Sequence, residues 1–153
     1  MSEKEQKAKE LFKSGYNCAQ AVIGVFAEES GLDFETAMKT ALPFGGGMGR
    51  MREVCGAVSG MLMAAGLKFS DEKAANKAEV YKITQELAGK FKEQNGSIIC
   101  RELLEGIENS NTPTPSKRDE AYYKKRPCVE LVGDCVLILE EYLKTKELAK
   151  KEN

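Results

Sequence analysis

The cysteines are the residues of this sequence whose types and positions could do chemistry. The chain has 153 residues, with five cysteines and no histidine. Without histidine, a Ser-His-Asp or Cys-His nucleophile pair, a histidine-ligated metal and a histidine haem ligand are all excluded. Any chemistry must therefore come from thiols, carboxylates, lysines, tyrosines or a cofactor.

The thiols are spread along the chain instead of being paired. They are Cys18, Cys55, Cys100, Cys128 and Cys135, and none forms the C-x-x-C pair of a zinc ribbon or a thioredoxin-type motif. The spacing is weak evidence for a site, because isolated cysteines also serve as small apolar core residues. Both interpretations, a chemical site and core filling, are open at this point.

Four of the five cysteines lie near predicted helix N-termini. Cys18 follows an asparagine cap, Cys55 follows a glycine-rich run, Cys100 lies three residues after a serine cap, and Cys128 follows a proline. At a helix N-terminus the dipole and the unpaired N–H groups stabilise a thiolate, so we expect lowered thiol pKa values. Metal ligation and thiol exchange both require the thiolate.

Cys135 differs from the other four. It lies seven residues beyond Cys128 on the same predicted helix, which is about 10 Å of helical rise. One metal ion with sulfur ligands at about 2.3 Å cannot easily bind both. Its neighbours are apolar, so we predict that Cys135 is a core residue.

The elements that must position these thiols are helices, because apolar residues recur with helical periodicity and no stretch alternates like a strand. The sequence predicts one all-α domain over residues 1–153, a bundle of about five to seven helices with a glycine-rich interhelical loop. The segment Glu108–Asp119 is polar, contains two prolines and is predicted to be a loop. The predicted helices are Glu3–Lys13, Asn17–Ser30, Asp33–Leu42, Arg52–Gly66, Ser70–Asn95, Ser97–Leu104 and one from Pro127 to about Lys144.

Charge and hydropathy exclude some partners. Lys and Arg total 23 against 24 Asp and Glu, and the two signs are interspersed, so we expect no nucleic-acid binding. The most apolar stretch, Val54–Leu67, is shorter than the roughly 20 residues that cross a bilayer, so we expect no membrane insertion. The first ten residues are highly charged and have no apolar signal core. We therefore expect a cytoplasmic protein.

Four segments of the sequence resemble the C_GCAxxG_C_C family, which is named for four cysteines in this order. They are N-C-A at 17–19, a glycine-rich 44–50 leading into C-G-A-V-S-G at 55–60, C-R-E-L-L at 100–104, and a cysteine at 128. The resemblance covers about Lys9 to Leu143. Carried over residue by residue, the family cysteines are Cys18, Cys55, Cys100 and Cys128, called the motif cysteines below.

The resemblance implies a redox-active protein. A similar domain in split-Soret cytochromes is associated with an iron–sulfur centre, so we expect the motif cysteines to hold a [2Fe–2S] or another iron–sulfur cluster that transfers electrons with a redox partner protein. This chain lacks a C-x-x-C-H haem attachment site, so we expect no haem. A zinc-stapled binding module and a metal-free thiol–disulfide oxidoreductase or redox sensor are the alternatives. A homo-oligomer is left open.

The glycines around the second motif cysteine suggest a supporting role. The run Gly45–Gly49 lacks the Gly-Lys-Ser/Thr of a phosphate loop and follows no predicted strand. It predicts a tight connection whose backbone approaches the cysteine site closely. We therefore assign Gly47, Gly49 and Gly56 to cofactor binding.

Overall fold

The computed structural model describes residues 1–107 and 110–152, and over these ranges the chain forms eight α-helices. The predicted all-α class is confirmed, and the helix count is slightly above the predicted five to seven. The helices are α1 Glu3–Lys13, α2 Cys18–Gly24, α3 Phe34–Ala41, α4 Gly56–Phe69, α5 Lys77–Asn95, α6 Cys100–Leu103, α7 Glu120–Lys125 and α8 Cys128–Glu152.

Local side-chain caps set several helix starts. The Ser2 hydroxyl accepts a hydrogen bond from the Glu5 backbone N–H, and the Glu5 carboxylate accepts one from the Ser2 N–H, which completes a capping box on α1. Asn17 and Gln20 form the same reciprocal pair on α2. Each pair satisfies N–H groups that have no partner within the helix. Asp33 likewise caps α3.

The core is organised around α2, which packs against α1, α3, α4 and α8. The main cluster of buried apolar side chains is shared by α1, α2, α4, α5 and α8, and Phe26, Val58 and Leu139 are fully buried in it. A smaller cluster, with Ile23 and Met38, fills the space between α2 and α3. Within the described ranges, no helix combines the length and the apolar content needed to cross a membrane.

The second and fifth predicted helices are shorter in the structure. The second helix stops at Gly24, well before the predicted Ser30, and the chain continues through turns and a short 3₁₀ helix. The fifth helix begins at Lys77 instead of Ser70. The Asp71 carboxylate accepts hydrogen bonds from the backbone N–H groups of Lys73 and Ala75. Such side-chain bonds compete with helical ones and delay the helix.

The fourth helix also begins later than predicted, at Gly56 instead of Arg52, and it extends to Phe69. The chain before it pairs with a distant segment, since Val54 and Ile99 form an isolated antiparallel bridge. This pairing uses backbone groups that a helix would otherwise satisfy. It also joins the start of α4 to the start of α6.

The last third of the chain agrees with the prediction in one respect and differs from it in two. Residues 110–119 contain no helix, as predicted, whereas Glu108 and Asn109 of the predicted loop lie outside the described residues. The short α7 was not predicted, although Asp119 caps it by accepting a hydrogen bond from the Tyr122 N–H. Helix α8 continues past the predicted end near Lys144 to Glu152, in agreement with the helix-favouring Lys, Glu, Leu and Ala residues there.

Candidate functional site

All four motif cysteines line one cavity of about 70 Å³, called the cysteine cavity below. Each lies at the start of a helix: Cys18, Cys100 and Cys128 are the first residues of α2, α6 and α8, and Cys55 is the N-cap of α4. Cys55 and Cys100 are buried, while Cys18 and Cys128 are half-buried. All five cysteines of the chain are free thiols in this structure.

Backbone hydrogen bonds and helix packing together bring the four helix starts to one place. The Cys55 N–H donates to the Ile98 carbonyl at 2.8 Å and the Cys100 N–H donates to the Glu53 carbonyl at 2.6 Å, so the bridge sets these two cysteines side by side. Helix α2 packs along α4 and also contacts α8, which adds Cys18 and Cys128. The site therefore consists of segments from four distant parts of the sequence.

Glycines allow the close approach at the cysteine cavity. A β-carbon on Gly47 would lie 2.8 Å from the Cys100 β-carbon, and one on Gly56 would overlap the Cys18 sulfur. Gly56 lines the cavity, as does Gly46, which the sequence analysis did not single out. Gly49 does not approach a cysteine; it lines a neighbouring surface cavity.

The thiol pKa values differ from the sequence expectation. Burial raises the pKa of Cys55 well above its usual 9.0 and that of Cys128 to about 12. Burial also raises the pKa of Cys18, although nearby backbone N–H groups, including that of Gly46, oppose the shift. The predicted lowering by helix N-termini was wrong for these three thiols, because desolvation of the charged form outweighs the N–H groups.

Arg52 is a cation in direct contact with a motif cysteine. Its side chain is buried, its Nη1 donates to the Cys100 sulfur at 3.8 Å, and its Nε donates to the Ser110 carbonyl at 2.9 Å. Its Nη2 is buried without a hydrogen-bond partner among the described residues. A buried guanidinium nitrogen without a partner is costly, so an anionic group at the cysteine site would stabilise it.

Several residues of this site were not predicted from the sequence. Arg52, Arg118, Tyr122 and Arg126 line the cysteine cavity together with the thiols. The signal that could have found the arginines is their scarcity, since the chain has only five and all of them lie close in sequence to a motif cysteine or in the segment that precedes Cys128.

Cys135 does not line the cysteine cavity, and the prediction that it is a core residue is confirmed. It is fully buried in the main apolar cluster on α8. Burial raises its pKa well above 9.0. It therefore behaves as a small apolar side chain and offers a control for substitutions of the motif cysteines.

The motif cysteines offer four sulfur donors to a metal group. One tetrahedral zinc ion needs four sulfurs about 3.8 Å apart, given Zn–S bonds of about 2.3 Å. In the described part of the chain, no three Cys, Asp or Glu side chains form such a group. A cluster with two irons divides four thiolates into two pairs, one on each iron, so it does not require three side chains around one metal position. A negatively charged group could pair with the Arg52 Nη2, for which the described part of the chain offers no hydrogen-bond partner.

Comparisons with known proteins agree with the pattern of cysteines. A family model described as "Putative redox-active protein (C_GCAxxG_C_C)" matches residues 16–142. An "Uncharacterized protein" of Archaeoglobus fulgidus is 31% identical over 159 residues, which cover 95% of this chain and 99% of that relative. No solved structure matches the chain.

Proposed function

Because the chain belongs to the C_GCAxxG_C_C family, we propose that it is a redox protein whose motif cysteines hold an iron–sulfur cluster and exchange electrons with a partner protein. The observation that carries this proposal is the cysteine cavity, which all four motif cysteines line. Four cysteine thiolates are the usual ligand set of a [2Fe–2S] cluster. When bound, such a cluster supplies one-electron redox chemistry at a potential that its surroundings adjust.

The chain itself provides the four thiol ligands and a positive counter-charge. The thiols must release their protons on loading, and because burial raises the pKa of Cys128 to about 12, loading should be favoured by rising pH. The buried guanidinium of Arg52 offsets part of the resulting negative charge. Phe12, Leu104 and Leu131 line the same cavity and exclude water, which strengthens these electrostatic interactions.

Anaerobic purification followed by reconstitution with ferrous iron and sulfide tests the proposal. We expect about two irons and two acid-labile sulfides per chain, with visible absorption that bleaches on reduction. The informative variant is Cys100→Ser, which removes one motif thiol and should abolish stable loading. Cys135→Ala is the matched control, since it removes a buried thiol outside the cavity and should load like the wild type.

Three results would contradict the cluster proposal. A wild-type chain that takes up no iron after reconstitution would contradict it, and so would equal iron loading in the Cys100→Ser and Cys135→Ala variants. Stoichiometric zinc in the protein as isolated, with unfolding on chelation and no redox signal, would indicate the zinc-stapled module instead.

A metal-free thiol–disulfide protein is the second candidate. The observation that favours it is that no three acidic or thiol side chains in the described ranges are arranged around one metal position. In this reaction two motif thiols lose two electrons and two protons and form one disulfide, while a small disulfide co-substrate is reduced to two thiols. Titration of the metal-free protein with oxidised glutathione should then remove thiols in pairs, and no loss would count against this function.

The location and the assembly state belong to the same proposal. We propose that the protein acts in the cytoplasm, where the reduced thiols needed for loading are maintained. We expect a partner protein to receive the electrons. We expect neither nucleic-acid binding nor membrane insertion. Whether two copies associate is tested by light scattering on the loaded protein.

A further inference from the structure

A second cavity of about 330 Å³, called the arginine cavity below, adjoins the cysteine cavity. Arg52, Arg118, Tyr122 and Arg126 line both of them. The arginine cavity also includes Arg50, so four of the five arginines of the chain line it. No carboxylate is among its described lining residues. In a chain whose formal net charge is −1, this is a strong local concentration of positive charge.

The guanidinium groups of Arg52 and Arg118 have neutral hydrogen-bond partners. Arg118 donates to the carbonyl oxygens of Phe12 and Tyr16, and its guanidinium stacks 4.3 Å from the centre of the Phe12 ring. Arg52 donates to a carbonyl and a thiol, and its Nη2 has no hydrogen-bond partner among the described residues although the residue is only 5% exposed. These interactions hold the two side chains in place without cancelling their charge.

Hydrogen bonds also hold the Arg50 side chain in place. Arg50 donates to the Thr112 and Thr114 carbonyls and to the Ser116 hydroxyl, which ties the glycine-rich loop to the segment across the cavity. Arg50 and Arg52 have φ values of 66° and 61°, a left-handed conformation that costs residues other than glycine about 1–3 kcal/mol. Preorganised cations lose little conformational freedom on binding, which favours affinity.

We propose that the arginine cavity binds a small molecule carrying at least two oxyanion groups, phosphates or carboxylates, at the entrance to the cysteine site. Arginine binds both groups through two parallel N–H donors, and four arginines can serve two such groups. The volume lies in the range of small-molecule sites. The shared lining residues place a bound anion next to the thiols. The arginine cavity is formed by the chain itself, so this site does not require a cluster on the motif cysteines.

Isothermal titration calorimetry on the reduced, metal-free protein tests this inference with two probes, pyrophosphate and citrate, at constant ionic strength. We expect saturable binding of one probe molecule per chain. Binding of pyrophosphate alone would support the proposal and identify the groups as phosphates, whereas binding of citrate alone would support it and identify carboxylates. No saturable heat with either probe would overturn the proposal.

A pair of arginine variants separates this cavity from general surface charge. Arg126→Gln should weaken binding by about tenfold or more, because it removes one charge-assisted donor pair. Arg101→Gln is the matched control, since Arg101 pairs with Glu53 at 3.2 Å and does not line the cavity. An equal loss in both variants would overturn the proposal.

A further variant keeps the test decisive if Arg126→Gln does not fold, as circular dichroism would show. Arg126→Lys retains the charge but not the planar pair of donors, so binding should weaken by less than in the glutamine variant and still fall below that of the wild type. Binding by Arg126→Lys that equals the wild type would contradict two-donor recognition by Arg126. Because these measurements use metal-free protein, their failure is distinct from a failure of iron loading.

Discussion

Gly56 lies so close to Cys18 that a β-carbon at position 56 would overlap the cysteine sulfur, and it would also lie 2.8 Å from the Phe44 carbonyl oxygen. Gly56 is the first residue of α4 and Cys18 is the first residue of α2. The two helix starts can therefore touch only because residue 56 has no side chain. This contact connects a local feature of the sequence to the geometry of the site.

The first prediction concerns this contact. Gly56→Ala should lower the free energy of unfolding by about 1–3 kcal/mol, since a buried carbon must displace a sulfur and a backbone carbonyl. It should also reduce iron loading, because Cys18 has to move. Urea denaturation followed by circular dichroism, together with iron analysis, measures both effects.

Gly66→Ala in the same helix is the control for that prediction. A β-carbon there meets no atom within 4 Å, so alanine should raise the free energy of unfolding by about 0.5–1 kcal/mol through its better helix propensity. If both variants were stabilised, the close packing inferred at Gly56 would be wrong.

The second prediction compares two helix caps. Asn17 accepts a hydrogen bond from the Gln20 N–H at 2.9 Å and donates to the Leu42 carbonyl at 3.0 Å, whereas Asp33 accepts one from the Thr36 N–H at 2.9 Å. Replacement of either cap by alanine should cost about 1 kcal/mol of stability. Only Asn17→Ala should change the alkylation rate of the adjacent motif cysteine, measured by mass spectrometry of the metal-free protein. Equal alkylation changes in both variants would argue against local control by Asn17.

The third prediction is a loss of stability at alkaline pH. The pKa of Cys128 is raised from 9.0 to about 12, so below pH 9 both the folded and the unfolded chain keep this proton. Between pH 9 and 12 the unfolded chain loses the proton while the folded chain retains it. Stability of the metal-free protein should then fall by up to about 1.4 kcal/mol per pH unit for this thiol.

Urea denaturation at several pH values between 8 and 11 measures that slope. The raised pKa values of Cys18 and Cys55 act in the same direction, so the total slope should be steeper than one thiol produces. Cys128→Ala should reduce the slope. An unchanged slope in this variant would show that the Cys128 thiol is not responsible.

The fourth prediction concerns Arg52 and depends on the proposed cluster. Arg52→Gln should lower the midpoint reduction potential of the reconstituted protein, because the more negative, reduced state loses a buried counter-charge. Arg101→Gln should change the potential much less, since the Arg101 side chain is 53% exposed and paired with Glu53, where water screens the charge. Redox titration followed by visible absorption measures the shift, and equal shifts in the two variants would refute the special role of Arg52.

Much of the fold could be predicted from sequence because helix starts and helix faces are local properties. Ser2, Asn17 and Asp33 cap their helices within three residues, so the first three helix starts agree with prediction. The start of α4 could not be read locally, because the bridge between Val54 and Ile99 depends on a segment about 45 residues away. The short α7 was missed because its six residues show too little periodicity to recognise.

The sequence by itself determined which functional groups are available for chemistry and where they lie relative to the helix starts. Without histidine, the thiols are the strongest soft ligands of the chain. Local signals, namely two caps, a glycine-rich run and a proline, predicted four of them near helix starts. Helical spacing separated Cys135 from the other four. These conclusions hold because composition and helix periodicity do not depend on contacts between distant segments.

Only the tertiary structure decided that the motif cysteines share one cavity and that arginines surround it. It also reversed the expected direction of the pKa shifts for Cys18, Cys55 and Cys128. Burial depends on every neighbour that excludes water from a thiol, and those neighbours come from helices far apart in sequence. Desolvation by that packing exceeds the effect of the helix N-terminus, which is the one electrostatic influence that the local sequence makes visible.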